Sequence, residues 1–399
     1  FILATNFPTY AINYQTIKNC AHWWGVEFSS TTSPAVAEVV DATRTRERAR
    51  ILAEELRQLQ RVEAKRREYV ETVANALAPY EPTPITPIVH TAAYKPEHHW
   101  LLLFSDWHMG QATPIQTTGG IYEQSSEITR WQVELMLRAL KSIHATQSHG
   151  YDIRNVLVVF NGDLLENDCM RASQARKVDR LVTQQAVDVF DLMGYTIRQL
   201  LALPGVERVE VHNVGGNHDR TTQRPGDARL GELDYVDTYS WLVGTLLARA
   251  FEDESRVSLT NWETYFGYCM WAGRKVIFEH GAAFRASTGS YGGVPWYPTV
   301  NAANKLVDML GGGDLVLFGH LHQPAVLPIK QEGWVVINGS LPATSTYIQS
   351  NFRAVRHPTQ WLINLHEEHG AIEFHPLYAP PPSLQAPGHV WEQAQDIIT

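Results

Sequence analysis

The sequence predicts an α/β region preceded by a helical N-terminal region. Three observations carry this. From about residue 88 onward, short apolar runs such as "NVLVVFNG", "VERVEVHNVGG", "RKVIFEHG", "GDLVLFGH" and "GWVVINGS" end on polar residues or glycine. Helical stretches, 128–147 and 178–203 among them, lie between several of these runs, the pattern of an α/β domain. Before residue 78 the chain is instead Arg/Glu/Ala/Leu-rich. "APYEPTPITP" (78–87) holds four prolines in ten residues, a stiff linker that marks a boundary. The expected organisation is a helical region 1–77, a linker 78–87 and an α/β domain 88–399.

The N-terminal elements follow from local signals. Residues 1 to about 40 are mixed and aromatic-rich, and "YQTIKNCAHWWGVEF" suits a short helix and turn. In "SPAVAEVV", Ser33 is an N-cap and Pro34 a first helical residue. From about Thr43 to Leu77 there is no Pro or Gly, and Ile51, Leu52, Leu56, Leu59, Val62 and Val70 recur at helical spacing. Nine Lys/Arg against five Asp/Glu between Arg44 and Glu68 give a local charge of +4. Such a helix could contact DNA, following a helix-turn-helix, or dimerise. The composition favours the plainer reading of a solvated, salt-bridged helix.

Composition narrows the class. With 399 residues, 44% hydrophobic and 19% charged, the chain is an ordinary globular protein with room for a large core. The net charge of −9 is not that of a dedicated nucleic-acid binder. No run of about 18 apolar residues suggests a transmembrane helix. The opening "FILATNFPTYAINYQ" lacks the basic region and cleavage site of a secretory signal. Three widely spaced cysteines, Cys20, Cys169 and Cys269, make neither a disulfide framework nor a zinc ribbon. A cytoplasmic setting is expected.

Chemistry-bearing residues collect where strands end. Asp106 and His108 follow "LLLF"; Gly162 and Asp163 follow "VLVVFN"; Asn217, His218 and Asp219 follow "VEVHNVGG". His280 follows "VIFE", and His320 and His322 follow "LVLF". One Asp after a strand is usually a turn former, and one His is usually incidental. Five coincidences at one sheet edge are not, because α/β sheets bind ligands beyond the carboxyl ends of their strands. Besides His218 the set offers three carboxyl or amide oxygens and four imidazoles. Mixed His and carboxylate donors suit Mn²⁺, Fe²⁺ or Zn²⁺. Seven donors exceed one shell and fit two ions about 3.5–4 Å apart sharing a bridging carboxylate.

In order, "SDWHMG", "NGDLLEND", "GGNHD", "EHG" and "GHLH" resemble the five motifs of the calcineurin-like metallophosphoesterases, across residues 101–322. The resemblance implies a four-layer α/β/β/α sandwich of two mixed sheets. It implies Asp106, His108 and His322 on one ion, Asn217, His280 and His320 on the other, and Asp163 bridging. His218 would be the non-ligand histidine that protonates the leaving oxygen, with Asp219 orienting it. Two divalent ions are implied, Mn²⁺ first, with Fe²⁺, Zn²⁺ or Mg²⁺ as alternatives. They would lower the pKa of a shared water to give hydroxide in line with phosphorus.

Other positions are less specified. Glu166, Asn167 and Asp168 suit either support of the ligands or helix capping. Arg220 suits phosphate contact. The segment 282–300, with Arg285 and Tyr291, suits a substrate-contacting loop or a plain Gly/Pro loop; 221–235 is a second rim.

The motifs specify phosphoester hydrolysis, not the substrate. Nucleic-acid phosphodiesters are one reading: SbcD-like nucleases and phage or prophage members of the family carry such a motif set, "GNHDR" and the late "PTQWLINLHEEHGAIEFHPLY" look similar to the phage-type group, and the basic helix would add backbone affinity. A small-molecule phosphatase or cyclic-nucleotide phosphodiesterase is the alternative. A non-catalytic scaffold is argued against by the intact donors. Nucleic acid is the expected partner and no membrane is expected; a dimer could form through the N-terminal helix.

Overall fold

The structure is a computed structural model that describes residues 34–77, 95–168, 173–221, 235–283, 290–291, 294–329, 333–344, 349–350 and 355–379. The chain divides into two compact units, Phe1–His90 and Thr91–Thr399. In the first, Pro34–Leu77 is one continuous helix, α1, of 44 residues. It begins at the proline expected for a first helical position and runs on without a break through Thr43, about where the long helix was expected to begin. The region before it, with the expected helix-turn-helix, and the linker 78–87 lie outside the described residues. Among the described residues no helix is long and apolar enough to cross a membrane.

The second unit alternates strand and helix. Its elements are β1 (His99–Phe104), α2 (Ser126–Gln147), β2 (Asn155–Asn161), α3 (Val182–Leu201), β3 (Arg208–Val214), α4 (Tyr239–Ala250) and β4 (Val257–Asn261). There follow β5 (Phe266–Trp271), β6 (Arg274–Glu279), β7 (Ser290–Tyr291), β8 (Val294–Pro295) and α5 (Trp296–Met309). The last are β9 (Leu315–Phe318), β10 (Ala325–Ile329), β11 (Gly333–Ile337), β12 (Thr359–His366) and β13 (Gly370–Tyr378).

Two sheets result, ordered β13-β12-β1-β2-β3-β4 and β10-β11-β9-β6-β5. Strands β1 to β4 run parallel, as do β6, β9 and β11, while β12, β13, β5 and β10 pair antiparallel at the flanks. Both sheets are therefore mixed. Alternation along the strands divides the core into layers. Trp100, Leu102 and Phe104 of β1 join Val156, Val158 and Phe160 of β2 under α2, α3 and α4. Leu101, Leu103, Leu157 and Val159 face the other way, against Val276, Phe278, Leu315 and Leu317 of the second sheet. The outer face of that sheet, Ile277, Val316 and Phe318, packs on Ala303, Leu306 and Val307 of α5. The architecture is a four-layer α/β/β/α sandwich.

One expectation is corrected here. Part of the segment 282–300 is regular structure: β7 pairs with β8, and α5 begins at Trp296. Pro298 sits in the first turn of this helix, where its missing N–H leaves no hydrogen bond unmade. Trp296 is half-buried and packs against the third core cluster.

Candidate metal centre

The candidate ligands stand just past the carboxyl ends of five parallel strands. Asp106 and His108 follow β1, Asp163 follows β2, Asn217 follows β3, His280 follows β6, and His320 and His322 follow β9. The expected single sheet edge is in fact two edges, since β1 to β3 belong to one sheet and β6 and β9 to the other. The site lies across the end of the sandwich. Backbone hydrogen bonds join the strand ends within each sheet: Asp106 N–H to Gly162 O at 3.0 Å, and Gly319 N–H to His280 O at 3.0 Å.

Local backbone geometry explains the spacing of the D-x-H and H-x-H motifs. Among the described residues, seven non-glycine residues have positive φ, and five of them are candidate ligands: Asp106 (55°), His108 (48°), Asp163 (52°), His320 (61°) and His322 (53°). Two left-handed residues flank one ordinary residue in each motif. The flanking side chains can then meet while the middle one turns away. Trp107 is fully buried, edge-on to Phe104 and Phe160. Each left-handed conformation costs about 1–2 kcal/mol for a residue with a Cβ. Such strain persists where the surrounding structure imposes it.

The side chains converge in two trios. In the first, Asp106 Oδ1 lies 3.1 Å from His322 Nε2 and 3.9 Å from His108 Nε2, and the two imidazole nitrogens are 3.0 Å apart. In the second, Asp163 Oδ2 lies 3.0 Å from His280 Nε2, with His320 beside His280. Within each trio the ligand atoms all lie within 4.8 Å of one another. The donor set fits divalent ions by its chemistry: carboxylate and imidazole, no thiolate. Asn217 Oδ1 adds an independent sign, being a buried oxygen with no hydrogen-bond partner. Buried polar atoms are rarely left so, and a cation would satisfy it.

Electrostatics follow from burial and charge. Burial opposes a charged His108, but the Glu166 carboxylate, 2.7 Å from Nδ1, outweighs it and carries the pKa up to about 9. Burial likewise opposes a charged His280, and Asp163 raises its pKa to about 10. His320 goes the other way, down to about 4, through burial and then the neighbouring His280. Burial favours a neutral Asp163, but the surrounding histidines hold its pKa well below the usual range.

A network of buried polar groups fixes the candidate ligands. Ser105 Oγ–H donates to Asp106 Oδ2, Asn338 Nδ2–H donates to Ser105 Oγ at 2.9 Å, and Gln360 Oε1 accepts from Ser105 N–H at 2.9 Å. His320 N–H donates to Asp106 Oδ1 at 3.0 Å. The carbonyl of Glu166 accepts from His218 Nδ1 at 2.8 Å, and the Glu166 carboxylate is 3.5 Å from the same atom. Among the described residues no hydrogen bond engages His218 Nε2, on a side chain 21% exposed.

Asp219 corrects an expectation. Its Oδ2 accepts from Asp163 N–H at 2.9 Å and Gly216 N–H at 2.7 Å, not from the His218 ring. It holds the loop under Asp163, and Glu166 is the acid beside His218. Asn167 is likewise no helix cap: its Nδ2 donates to the carbonyls of His218 and Arg220, each at 2.6 Å. Gly216 is required by a close approach, because a Cβ there would lie 2.2 Å from Asp163 Oδ1.

Arg220 is half-buried on the same loop, its backbone bridged to Thr238. Tyr291 lies in β7. Arg285 and most of the 221–235 rim lie outside the described residues. A further trio, Glu210, His212 and Cys269, also lies within ligand reach. There Trp262 Nε1–H donates to His212 Nδ1 at 2.9 Å, which puts the ring proton on Nε2, 3.0 Å from Glu210 Oε1. Both ring nitrogens are committed, and no lone pair is left for a cation.

A profile of the calcineurin-like phosphoesterase family matches residues 99–324. No functionally curated protein matches the chain by sequence. Among solved structures, a conserved uncharacterised protein from Streptococcus pneumoniae, described as a phosphoesterase, shares 11% identity. The match covers 71% of this chain and 98% of that one, with a TM-score of 0.27. Vps29 from Chaetomium thermophilum shares 8%, over 71% and 100%, with a TM-score of 0.28. A candidate 5′-nucleotidase from Staphylococcus aureus shares 12%, over 75% and 58%, with a TM-score of 0.36.

Proposed function

The chain belongs to the calcineurin-like phosphoesterase family, and from that premise we propose that it hydrolyses phosphodiesters, with nucleic acid as its substrate class. Metal-dependent hydrolysis of phosphoester bonds follows from the family itself. The observation that carries the assignment to this site is the pair of trios across the sandwich end, Asp106–His108–His322 and Asp163–His280–His320.

On this reading Asp106, His108 and His322 would hold one ion, Asn217, His280 and His320 would hold the second, and Asp163 would be shared between them. Two divalent ions, Mn²⁺ first, supply Lewis-acid stabilisation of the phosphoryl oxygens and activation of the attacking water. The protein's own groups do the rest. The Glu166 carbonyl, by accepting Nδ1–H, turns His218 Nε2 toward the open side of the site. An imidazolium there can donate its Nε2 proton to the leaving oxygen as the P–O bond breaks. The Glu166 carboxylate lies 3.5 Å from Nδ1 of the same ring. Asp219 and Asn167 keep the His218 loop in register with Asp163. Arg220, on the same loop, is the candidate contact for a non-bridging phosphate oxygen, with Arg285 and Tyr291 as further candidates on the segment after His280.

The local charge of +4 along Arg44–Glu68 supports a polyanionic substrate. The overall charge of −9 favours the alternative of a small phosphoester, a phosphatase or nucleotide phosphodiesterase substrate. The test is a substrate panel with Mn²⁺: bis-p-nitrophenyl phosphate, p-nitrophenyl phosphate, cyclic nucleotides, and labelled single- and double-stranded DNA. Cleavage of the diester and of DNA, with little monoester turnover, is expected. Preference for the monoester would overturn the nucleic-acid reading and leave the hydrolase intact.

A further inference from the structure

Helix α1 carries an apolar stripe that faces water. Ile51, Leu52, Leu56, Leu59, Val62 and Val70 are 54–66% exposed. Part of the stripe has coiled-coil spacing: positions 52, 56, 59, 63, 66 and 70 are separated alternately by four and three residues. A helix with such a seam gains most of its stability by packing that seam against a partner.

Two seam positions are charged, Glu63 and Arg66, and they decide what the partner can be. In a parallel, in-register pair each seam residue meets its own copy, so Glu63 would face Glu63 and Arg66 would face Arg66. Like charges buried in adjacent layers are strongly unfavourable. In an antiparallel pair whose two-fold axis passes between Ala64 and Lys65, position 63 faces position 66 of the second copy. Each charged layer then joins a carboxylate to a guanidinium. The same register puts Leu59 opposite Val70, and sets positions 56 and 52 opposite 73 and 77, which the sequence fills with Val and Leu. Other registers lose either the charge match or the apolar layers.

We propose that α1 is the dimerisation element of this protein, pairing antiparallel with α1 of a second copy through the 52–70 seam, with Glu63 meeting Arg66 across the axis. From position 52 to 77 the paired length is about 38 Å at 1.5 Å per residue. The paired charges fix orientation and register, the role best attested for polar groups in a helical seam. Arg44, Arg46, Arg50, Arg57 and Arg61 lie off the seam and stay on the outer face of the pair.

The test is the mass of the full-length chain in solution by light scattering across a concentration series. A dimer of twice 45.0 kDa, 90.0 kDa, is expected. A mass of 45.0 kDa at every concentration overturns the proposal, and so does a monomer whose α1 binds DNA through its arginines. The double variant Leu56→Asp, Leu59→Asp should fall to the monomer mass while keeping turnover of bis-p-nitrophenyl phosphate. Glu63→Arg and Arg66→Glu should each lose the dimer alone, and mixing the two chains should restore a heterodimer. That rescue excludes an effect confined to one helix. With Cys20, Cys169 and Cys269 replaced, a Leu59→Cys chain should crosslink to a Val70→Cys chain and not to itself. Self-crosslinking of Leu59→Cys would show a parallel pair and overturn the assignment.

Discussion

Glu166 Oε2 and His108 Nδ1 lie 2.7 Å apart, both buried, at the turn after β2 and the turn after β1. The carboxylate holds one ring nitrogen and thereby aims Nε2 at Asp106 and His322. Partners of this kind typically contribute 10- to 100-fold to metal affinity. Glu166→Gln should therefore weaken binding at the first trio by about that factor, read by Mn²⁺ titration. Unchanged affinity would mean that the ring is positioned without it.

His218 is expected to act on the substrate and not on the ions. His218→Asn should lower kcat by roughly 10²–10⁴ while bound metal, measured by elemental analysis, stays constant. Loss of metal in that variant would reassign His218 as a ligand.

Asp163 takes part in both halves of the loop architecture. Its Oδ1 accepts from His218 N–H at 2.7 Å, and its Oδ2 faces His280 at 3.0 Å. Asp163→Asn should lower metal stoichiometry at both positions, if it bridges them as proposed. A variant that keeps one full equivalent would confine Asp163 to the second trio.

On the proposed ligand set, protons and ions compete for His108 and His280. Their pKa values, raised to about 9 and about 10 against an ordinary 6.5, keep both rings charged at neutral pH when no ion is bound. Binding must expel those protons, so affinity should fall as pH drops and release should fade as pH rises through 9 to 10. Calorimetry in buffers of different ionisation enthalpy should detect about two protons released per chain near pH 7. Metal binding there without proton release would contradict these charge states.

What the sequence made legible was contiguous. Asp106 with His108, and His320 with His322, announce themselves because the strand, the turn and both ligands fall within ten residues. The helix over about 43–77 was readable for the same reason, from its apolar spacing and the absence of Pro and Gly, while its continuity with the start at Pro34 was not read. Contacts across the fold were not readable. Glu166 reaches His108 from 58 positions away, and Asn338 reaches Ser105 from 233 away. The partner of Asp219 was misjudged because the resemblance assigned it to His218, whereas the loop geometry directs its Oδ2 to the N–H groups of Asp163 and Gly216. The helix at Trp296 was hidden by Pro295 and Pro298, which read as a loop until they are placed at its N-cap and in its first turn.

The left-handed backbone at Asp106, His108, Asp163, His320 and His322 sets a price on keeping the chemistry. Glycine at any of the five would relieve about 1–2 kcal/mol of unfavourable conformation in the folded protein, offset in part by the freedom glycine adds to the unfolded chain. On the proposed ligand set, His322→Gly, at a side chain 20% exposed, should therefore lose its ion yet tolerate heat nearly as well as the metal-free parent. At Asp106 and Asp163 glycine would also strand the N–H donors of His320 and His218, so there the two effects oppose each other.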